Sequence, residues 1–316
     1  MALEQLTLER SLHGWVLGVK DIFQVDGLPT CCGSGLPAAA FEGAADLSEE
    51  NAAVGRARQA GAIVLGKTCT TEFANQETAA TTNPYDHTHT PGGSSQGSAA
   101  ACAAGLCDIA FGSQTGGSVN RPAAFNGLCA LKPTHGRLPT NGTVLVSETL
   151  DHVGLMAADF ARLRTFASVV VDGWHGEDAS AGAAPAAEPR PVRLGVPEGP
   201  YLQQAGHEAL ASFEETLHVA RGHSDAVEVA RMEGLLPNFS ELAEAHATIM
   251  WFEMGRNHVA SGRWPRCACG GGGGATSALL VVAHLVIPKA QFPTHASLTY
   301  LIRLGTRRTI EVGLPR

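Results

Sequence analysis

Two serines stand in glycine-flanked turns 24 residues apart, Ser94 in Gly92-Gly93-Ser94-Ser95 and Ser118 in Gly116-Gly117-Ser118. A serine hydroxyl is a weak nucleophile until a base takes its proton. Histidine is the usual base, yet none of the 13 histidines lies in a recognisable partner motif. His87 and His89 are nearest, in a polar loop, and read as solvated. Lysine is the other option, because a lysine in a low-dielectric site gives up its charge readily. Lys20 ends an apolar run and is a candidate on those grounds, although on the residues alone a single lysine at a strand end reads rather as an ordinary surface charge. Thr115-Gly116-Gly117-Ser118 offers consecutive backbone N–H groups that can point into one spot, as an oxyanion hole requires. One such turn is an ordinary loop. Two, joined by a single helix and strand, are much harder to dismiss as loops.

The elements that must position these groups follow from spacing. Trp15 to Val19 reads as a strand delivering Lys20 and Asp21 at its end. The first glycine–serine turn opens a helix of small residues, Ser98 to Gly105, which Gly105 stops. Asp108 to Phe111 reads as a buried strand running into the second turn. Before this core, Ser48 to Ala60 has helical spacing with Ser48 as N-cap, Ala62 to Leu65 is a short strand, and Thr70 to Gln76 resumes as a helix. After it come a strand at Leu128–Leu131, a mixed stretch at Leu150–Met156 and an amphipathic helix from Asp159 to Val171. Residues 176–191 are a low-complexity linker. A strand at Val192–Val196 and helices at His207–Arg221 and Asn238–Arg256 continue the alternation. Strands alternating with helices predict an α/β fold, a largely parallel, mixed central sheet with helices on both faces.

With 316 residues the chain can bury a large core in one or two domains. Its 22 basic and 30 acidic residues give a formal net charge of −8, which argues against nucleic acid or an anionic membrane as partner. Abundant small residues and 6% aromatics suit a tightly packed α/β enzyme. The eight cysteines are scattered, mostly inside apolar runs, and read as reduced, buried thiols. The polar start shows no signal peptide, and the longest apolar run, Ala278–Ile287, is too short to span a bilayer, so the expected location is the cytoplasm. Past Gly262 the character changes: Cys267-Ala268-Cys269 leads into five glycines, Gly270 to Gly274, and residues 263–316 form an atypical glycine-rich tail beside a domain of residues 1–262. Cys-x-Cys without further Cys or His nearby is a weak metal signal, so no metal is expected.

The stretches GVKDIFQVDGLPTCCGS, GAIVLGKTCTTEFA, NPYDHTHTPGGSSQGSAA, GSQTGGSVNRPAAFNGLCALKPTHGRLP and LDHVGLMA, together covering residues 14–172, resemble the amidase signature family. These are serine hydrolases with a Ser–cis-Ser–Lys triad, and the chain is similar to the amidotransferase A-subunit type among them. The resemblance implies that Ser118 is the acylated nucleophile, Ser94 the bridging serine behind a cis Gly93–Ser94 peptide, and Lys20 the base. Neutral Lys20 would take a proton from Ser94 while Ser94 takes one from Ser118. Ser118 would attack the amide carbonyl, its oxyanion held by the backbone N–H groups of Thr115, Gly116, Gly117 and Ser118. The relay would return a proton to the leaving amine, and water would release the acid. Ser95 and Gln114 support this network. Arg121 orients a substrate carboxylate or pairs with a structural Asp, and Lys67 and Glu72 are structural. The reaction implied is hydrolysis of a linear carboxylic amide to acid and ammonia or amine, with no cofactor and a small-molecule amide as partner; a homodimer stays open. Against the family pattern the chain is expected to be truncated at both ends. A non-catalytic fragment, or an amidotransferase-like component that works only with partners, is therefore the alternative.

Two other readings fare worse. Gly93-Ser94-Ser95-Gln96-Gly97 satisfies G-x-S-x-G, but the α/β-hydrolase elbow needs a strand directly before it, and His89 to Gly92 is a poor one. No G-x-x-x-x-G-K-[ST] occurs, which removes the phosphate-loop reading of the glycines.

Overall fold

The computed structural model describes residues 11–42, 47–75, 80–174, 192–200, 202–222, 227–233, 238–260, 300–304 and 308–312. The chain divides into two compact units, residues 1–175 with 248–316, and residues 176–247.

The first unit is built on a five-stranded sheet of β1 (Val16–Lys20), β2 (Ile63–Thr68), β3 (Ile109–Gln114), β4 (Cys129–Leu131) and β5 (His152–Ala157), in the order β2-β1-β3-β5-β4. β1 pairs parallel with β2 and β3, while β5 runs antiparallel to both β3 and β4. The sheet is mixed, with β5 alone reversed.

Alternation along β3 sends its side chains to two different packings. Ile109 and Phe111 join the larger core with Leu163, Phe166 and Val170 of α4 (Phe160–Val170) and Ala53, Val54 and Ala57 of α1 (Ala52–Gln59). Ala110 packs instead with Cys102 of α2 (Gln96–Ala103), and Met156 of β5 packs with Ala99 of the same helix. Helices therefore cover both faces. α2 lies close because its residues are small: Gly97 sits where a Cβ would fall 2.4 Å from the Cys69 nitrogen. Ser98 Oγ also donates to the Phe111 carbonyl at 2.8 Å. Gly105 ends this helix in the left-handed region, φ 69°. Asp159 caps α4, its carboxylate accepting the Arg162 amide at 2.8 Å.

Two local expectations are corrected. The N-cap of α1 is Asn51, not Ser48: Asn51 Oδ1 accepts the Ala53 and Val54 amides at 3.0 and 3.4 Å, while its Nδ2 donates to the carbonyls of Pro139 and Asn141. Both types can cap a helix, and the long-range bonds decide which one does. Thr70–Gln76 is not a helix over its described residues. Only a 3₁₀ turn, Glu72–Ala74, forms, with Phe73 and Ala74 at φ 48° and 57°. Phe73 N–H is drawn instead to the Cys32 carbonyl at 2.8 Å. Nor are all the thiols buried. Cys32, Cys102 and Cys107 are, but Cys31 and Cys129 are half-buried and Cys69 is exposed; none of these six forms a disulfide among the described residues.

The second unit holds β6 (Val192–Glu198) and β7 (Val227–Glu233), parallel and connected through α5 (His207–Arg221). Arg231 on β7 pairs with Glu198 and Glu214. Helix α6 (Phe239–Ala260), the last among the described residues, belongs to the first unit from Thr248 onward. β8 (Tyr300–Leu304) and β9 (Arg308–Val312) pair antiparallel. The linker at 176–191, the Cys267/Cys269 pair, Gly270–Gly274 and Ala278–Ile287 lie outside the described residues. Among the described residues no helix is long and apolar enough to cross a membrane.

Candidate active site

Topology brings the chemistry to one edge of the sheet. Lys20 is the last residue of β1, and Ser113 and Gln114 are the last two of β3, a parallel neighbour. α2 precedes β3 in the chain, packs on it and returns the chain to the start of that strand, so its N-terminus with Ser94 and Ser95 lies at the strands' carboxyl ends. This is where open α/β sheets place ligands.

Lys20 is fully buried. Its Nζ donates to Ser94 Oγ and to Ser113 Oγ, each at 2.8 Å. Burial pushes its pKa down from 10.5 to about 7, against the opposing pull of Asp151 and Cys32. The surface-charge reading of Lys20 is thereby excluded. A neutral amine keeps two N–H groups and one lone pair, which suits one bond given to Ser113 and one accepted from Ser94. Ser94 is buried, and the Gly93–Ser94 peptide is cis.

The second turn leads from β3 into α3 (Asn120–Phe125). Ser118 is half-buried, and its carbonyl accepts the Ser95 amide at 3.3 Å, which joins the two turns. Ser95 Oγ accepts the Ser113 amide and donates to the Ser113 carbonyl, both at 3.2 Å. Gln114 Oε1 accepts the Val119 and Asn120 amides at 2.9 Å each, fixing the residues that follow Ser118. Among the described residues, the amides of Gly116, Gly117 and Ser118 meet no hydrogen-bond acceptor. Thr115 Oγ1 donates to the Asp151 carboxylate. Among the described residues Arg121 meets neither an aspartate nor another carboxylate. Its Nε and one terminal nitrogen donate to the Gly93 carbonyl at 3.1 and 2.9 Å.

Ser113 and Asp151 are missing from the sequence reading. Ser113 touches Lys20 across 93 residues, and nothing local marks it. Asp151 is buried; burial pushes its carboxyl up, while Thr115, the Ser147 and Val146 amides and Lys20 pull it down. Lys67 is structural as expected, with its Nζ 3.0 Å from Asp21 Oδ1 and 2.9 Å from Thr30 Oγ1. That aspartate in turn holds the Cys31 and Gly33 amides. His89 is exposed and pairs with Asp86 at 2.9 Å, and His87 faces Thr82 at 3.1 Å, so neither belongs to the cluster. No strand occurs in residues 80–95, which removes the α/β-hydrolase elbow. Among the described residues no three His, Cys, Asp or Glu side chains are grouped to hold a metal ion.

The cluster is thus a buried lysine bonded to a serine, at the carboxyl ends of the parallel strands of a mixed α/β sheet, beside a glycine turn with a second serine, and among the described residues no histidine takes part in it. The chain matches the Amidase family over residues 2–266 and belongs to that family, the amidase signature family. The A subunit of glutamyl-tRNA(Gln) amidotransferase from Halorhodospira halophila is 35% identical over 257 residues, 75% of this chain and 51% of that protein. Its counterpart from Salinibacter ruber is 42% identical over 177 residues, 54% of this chain and 32% of that protein. Among solved structures, an amidase superposes with a TM-score of 0.69 at 29% identity, over 89% of this chain and 61% of that one. Native peptide amidase from Stenotrophomonas maltophilia gives 0.62 at 29% identity, over 82% and 56%. The chain spans about a third to a half of the length of these curated relatives.

Proposed function

We propose that the protein is an amidase that hydrolyses a linear carboxylic amide through an acyl-enzyme on Ser118, with Ser94 as proton bridge and Lys20 as base. The observation that carries this reading is the buried Lys20 Nζ, 2.8 Å from Ser94 Oγ and with a pKa near 7. A base with a pKa near the working pH is present in its neutral form and still takes up a proton effectively. The unengaged amides of Gly116, Gly117 and Ser118 suit a developing oxyanion, and loss of one such donor costs about 10²–10³-fold in rate elsewhere. Thr115, through its bond to Asp151, steadies the start of that turn. Residues 1–262 form the catalytic part in this reading, which needs no metal or cofactor.

A second reading makes the chain an amidotransferase-type component that releases ammonia from glutamine for a partner. The curated relatives, which are A subunits of glutamyl-tRNA(Gln) amidotransferase, favour it. Ammonia release from simple aliphatic and aromatic carboxamides and from glutamine, measured beside Ser118→Ala, separates the two. Turnover of simple amides that Ser118→Ala abolishes supports the free amidase. Turnover of glutamine alone supports the second reading. Turnover that survives Ser118→Ala sinks both.

A further inference from the structure

The loop of residues 146–151 is held by two carboxylates. On one side Asp151 Oδ2 accepts the Val146 and Ser147 amides at 2.7 and 3.2 Å, and Oδ1 accepts the Thr115 hydroxyl. On the other, Glu253 of α6 accepts the Ser147 hydroxyl, the Thr149 amide at 3.1 Å and the Thr149 hydroxyl at 3.0 Å. Glu253 is 7% exposed, and among the described residues every hydrogen bond its carboxylate accepts comes from this loop. Burial pushes its pKa up; the Ser147 and Thr149 bonds and Arg256 outweigh burial and hold it below the usual carboxylate range. A carboxylate buried this far costs several kcal/mol unless such bonds satisfy it. The contact joins positions more than 100 residues apart, and its far end is the loop that supplies Asp151.

We propose that Glu253 is a positioning residue for Lys20: it clamps Ser147 and Thr149, the clamped loop holds the Asp151 carboxylate in place, and Asp151 sets the charge that Lys20 feels. Its catalytic meaning rests on the reading of Lys20 as base. The charged and titratable groups concerned are Asp151 and Cys32 around Lys20, Lys20 and His152 around Asp151, and Arg256 beside Glu253, itself paired with Glu148.

The direction of the effect follows. Amide hydrogen bonds favour the ionised form of Asp151. Burial already raises the Asp151 carboxyl; releasing the loop weakens the bonds that oppose it, so Asp151 holds a proton more readily. Lys20 loses an opposite charge, and its titration midpoint falls.

The test reads Lys20 itself. The chain has four lysines, so ¹³Cε-lysine NMR resolves them, with Lys20→Met assigning the Lys20 signal. Wild type, Glu253→Gln, Asp151→Asn and the double variant are titrated, each with a wild-type circular dichroism spectrum. Asp151→Asn should lower the Lys20 midpoint by about one pH unit. Glu253→Gln should move it the same way by a smaller amount, and the double variant should fall no lower than Asp151→Asn alone, because both act on one charge. A Glu253→Gln midpoint equal to wild type, or a double shift equal to the sum of the singles, overturns the proposal. Should Glu253→Gln not fold, Thr149→Val removes one donor and keeps the carboxylate, and an unmoved Lys20 there overturns it equally. A chain that hydrolyses no amide would sink the proposed function and leave this coupling standing.

Discussion

Arg121 places two guanidinium nitrogens on one backbone oxygen, the carbonyl of Gly93, at 3.1 and 2.9 Å. One side chain thus ties the residues just past Ser118 to the peptide just before Ser94. A planar fork does this, and a point charge does not. Arg121→Ala should slow acylation by an activated ester about a hundredfold, the scale of a small misplacement of reacting groups. Arg121→Lys should regain little of it. Near-full activity with lysine would show that charge alone suffices there.

The acylation rate should rise with pH through about 7, because burial lowers the Lys20 pKa to that value and only the neutral amine accepts a proton. Below the midpoint Lys20 is protonated and the relay has no base. The profile of kcat/KM against pH for an activated ester measures this. A profile flat between about pH 5.5 and 9 would remove Lys20 from the proton relay.

Lys20 also makes a prediction about stability. Its folded pKa of about 7 lies below the ordinary 10.5, so between those values the unfolded chain binds more protons. Stability therefore rises with pH across that window and is lost as pH falls towards 7. Relative to Lys20→Met, wild type should gain at most about 5 kcal/mol over it. Urea unfolding of both proteins at matched pH values gives the difference, and parallel curves would show that Lys20 titrates normally in the fold.

Gly112→Ala should damage the site without touching a reacting group. A Cβ at Gly112 would lie 2.8 Å from Ser95 Oγ, 3.0 Å from Ser95 Cβ and 3.3 Å from Met156 Cε. Ser95 is already held by Ser113 on both its donor and acceptor sides. Overpacking of this kind costs about 1–3 kcal/mol. Both a lower melting temperature and slower acylation are expected, and a variant equal to wild type in both would show that Ser95 has room to move.

The positions of Lys20, Ser94 and Ser118 at the end of an apolar strand and in glycine turns were legible locally, but the pattern alone read Lys20 as a surface charge, and only the family resemblance singled it out. Helix α4 was legible locally too, with Asp159 at its start. Ser113, Asp151 and Glu253 were not, since their importance lies in contacts across 93, 36 and more than 100 residues. Asn51 outranked Ser48 as cap through bonds to Pro139 and Asn141, again non-local. Phe73 left the helical region because its amide serves Cys32. Local pattern places turns and strands; tertiary hydrogen bonds choose among residues that local pattern treats alike.

The most direct test of the central assignment is labelling with a fluorophosphonate, read by intact mass and peptide mapping, beside Ser118→Ala and Lys20→Met. A single adduct on Ser118, absent from Ser118→Ala and strongly slowed in Lys20→Met, is the predicted result. A folded chain that takes no label, or takes it on another serine, would contradict the assignment of Ser118 as nucleophile.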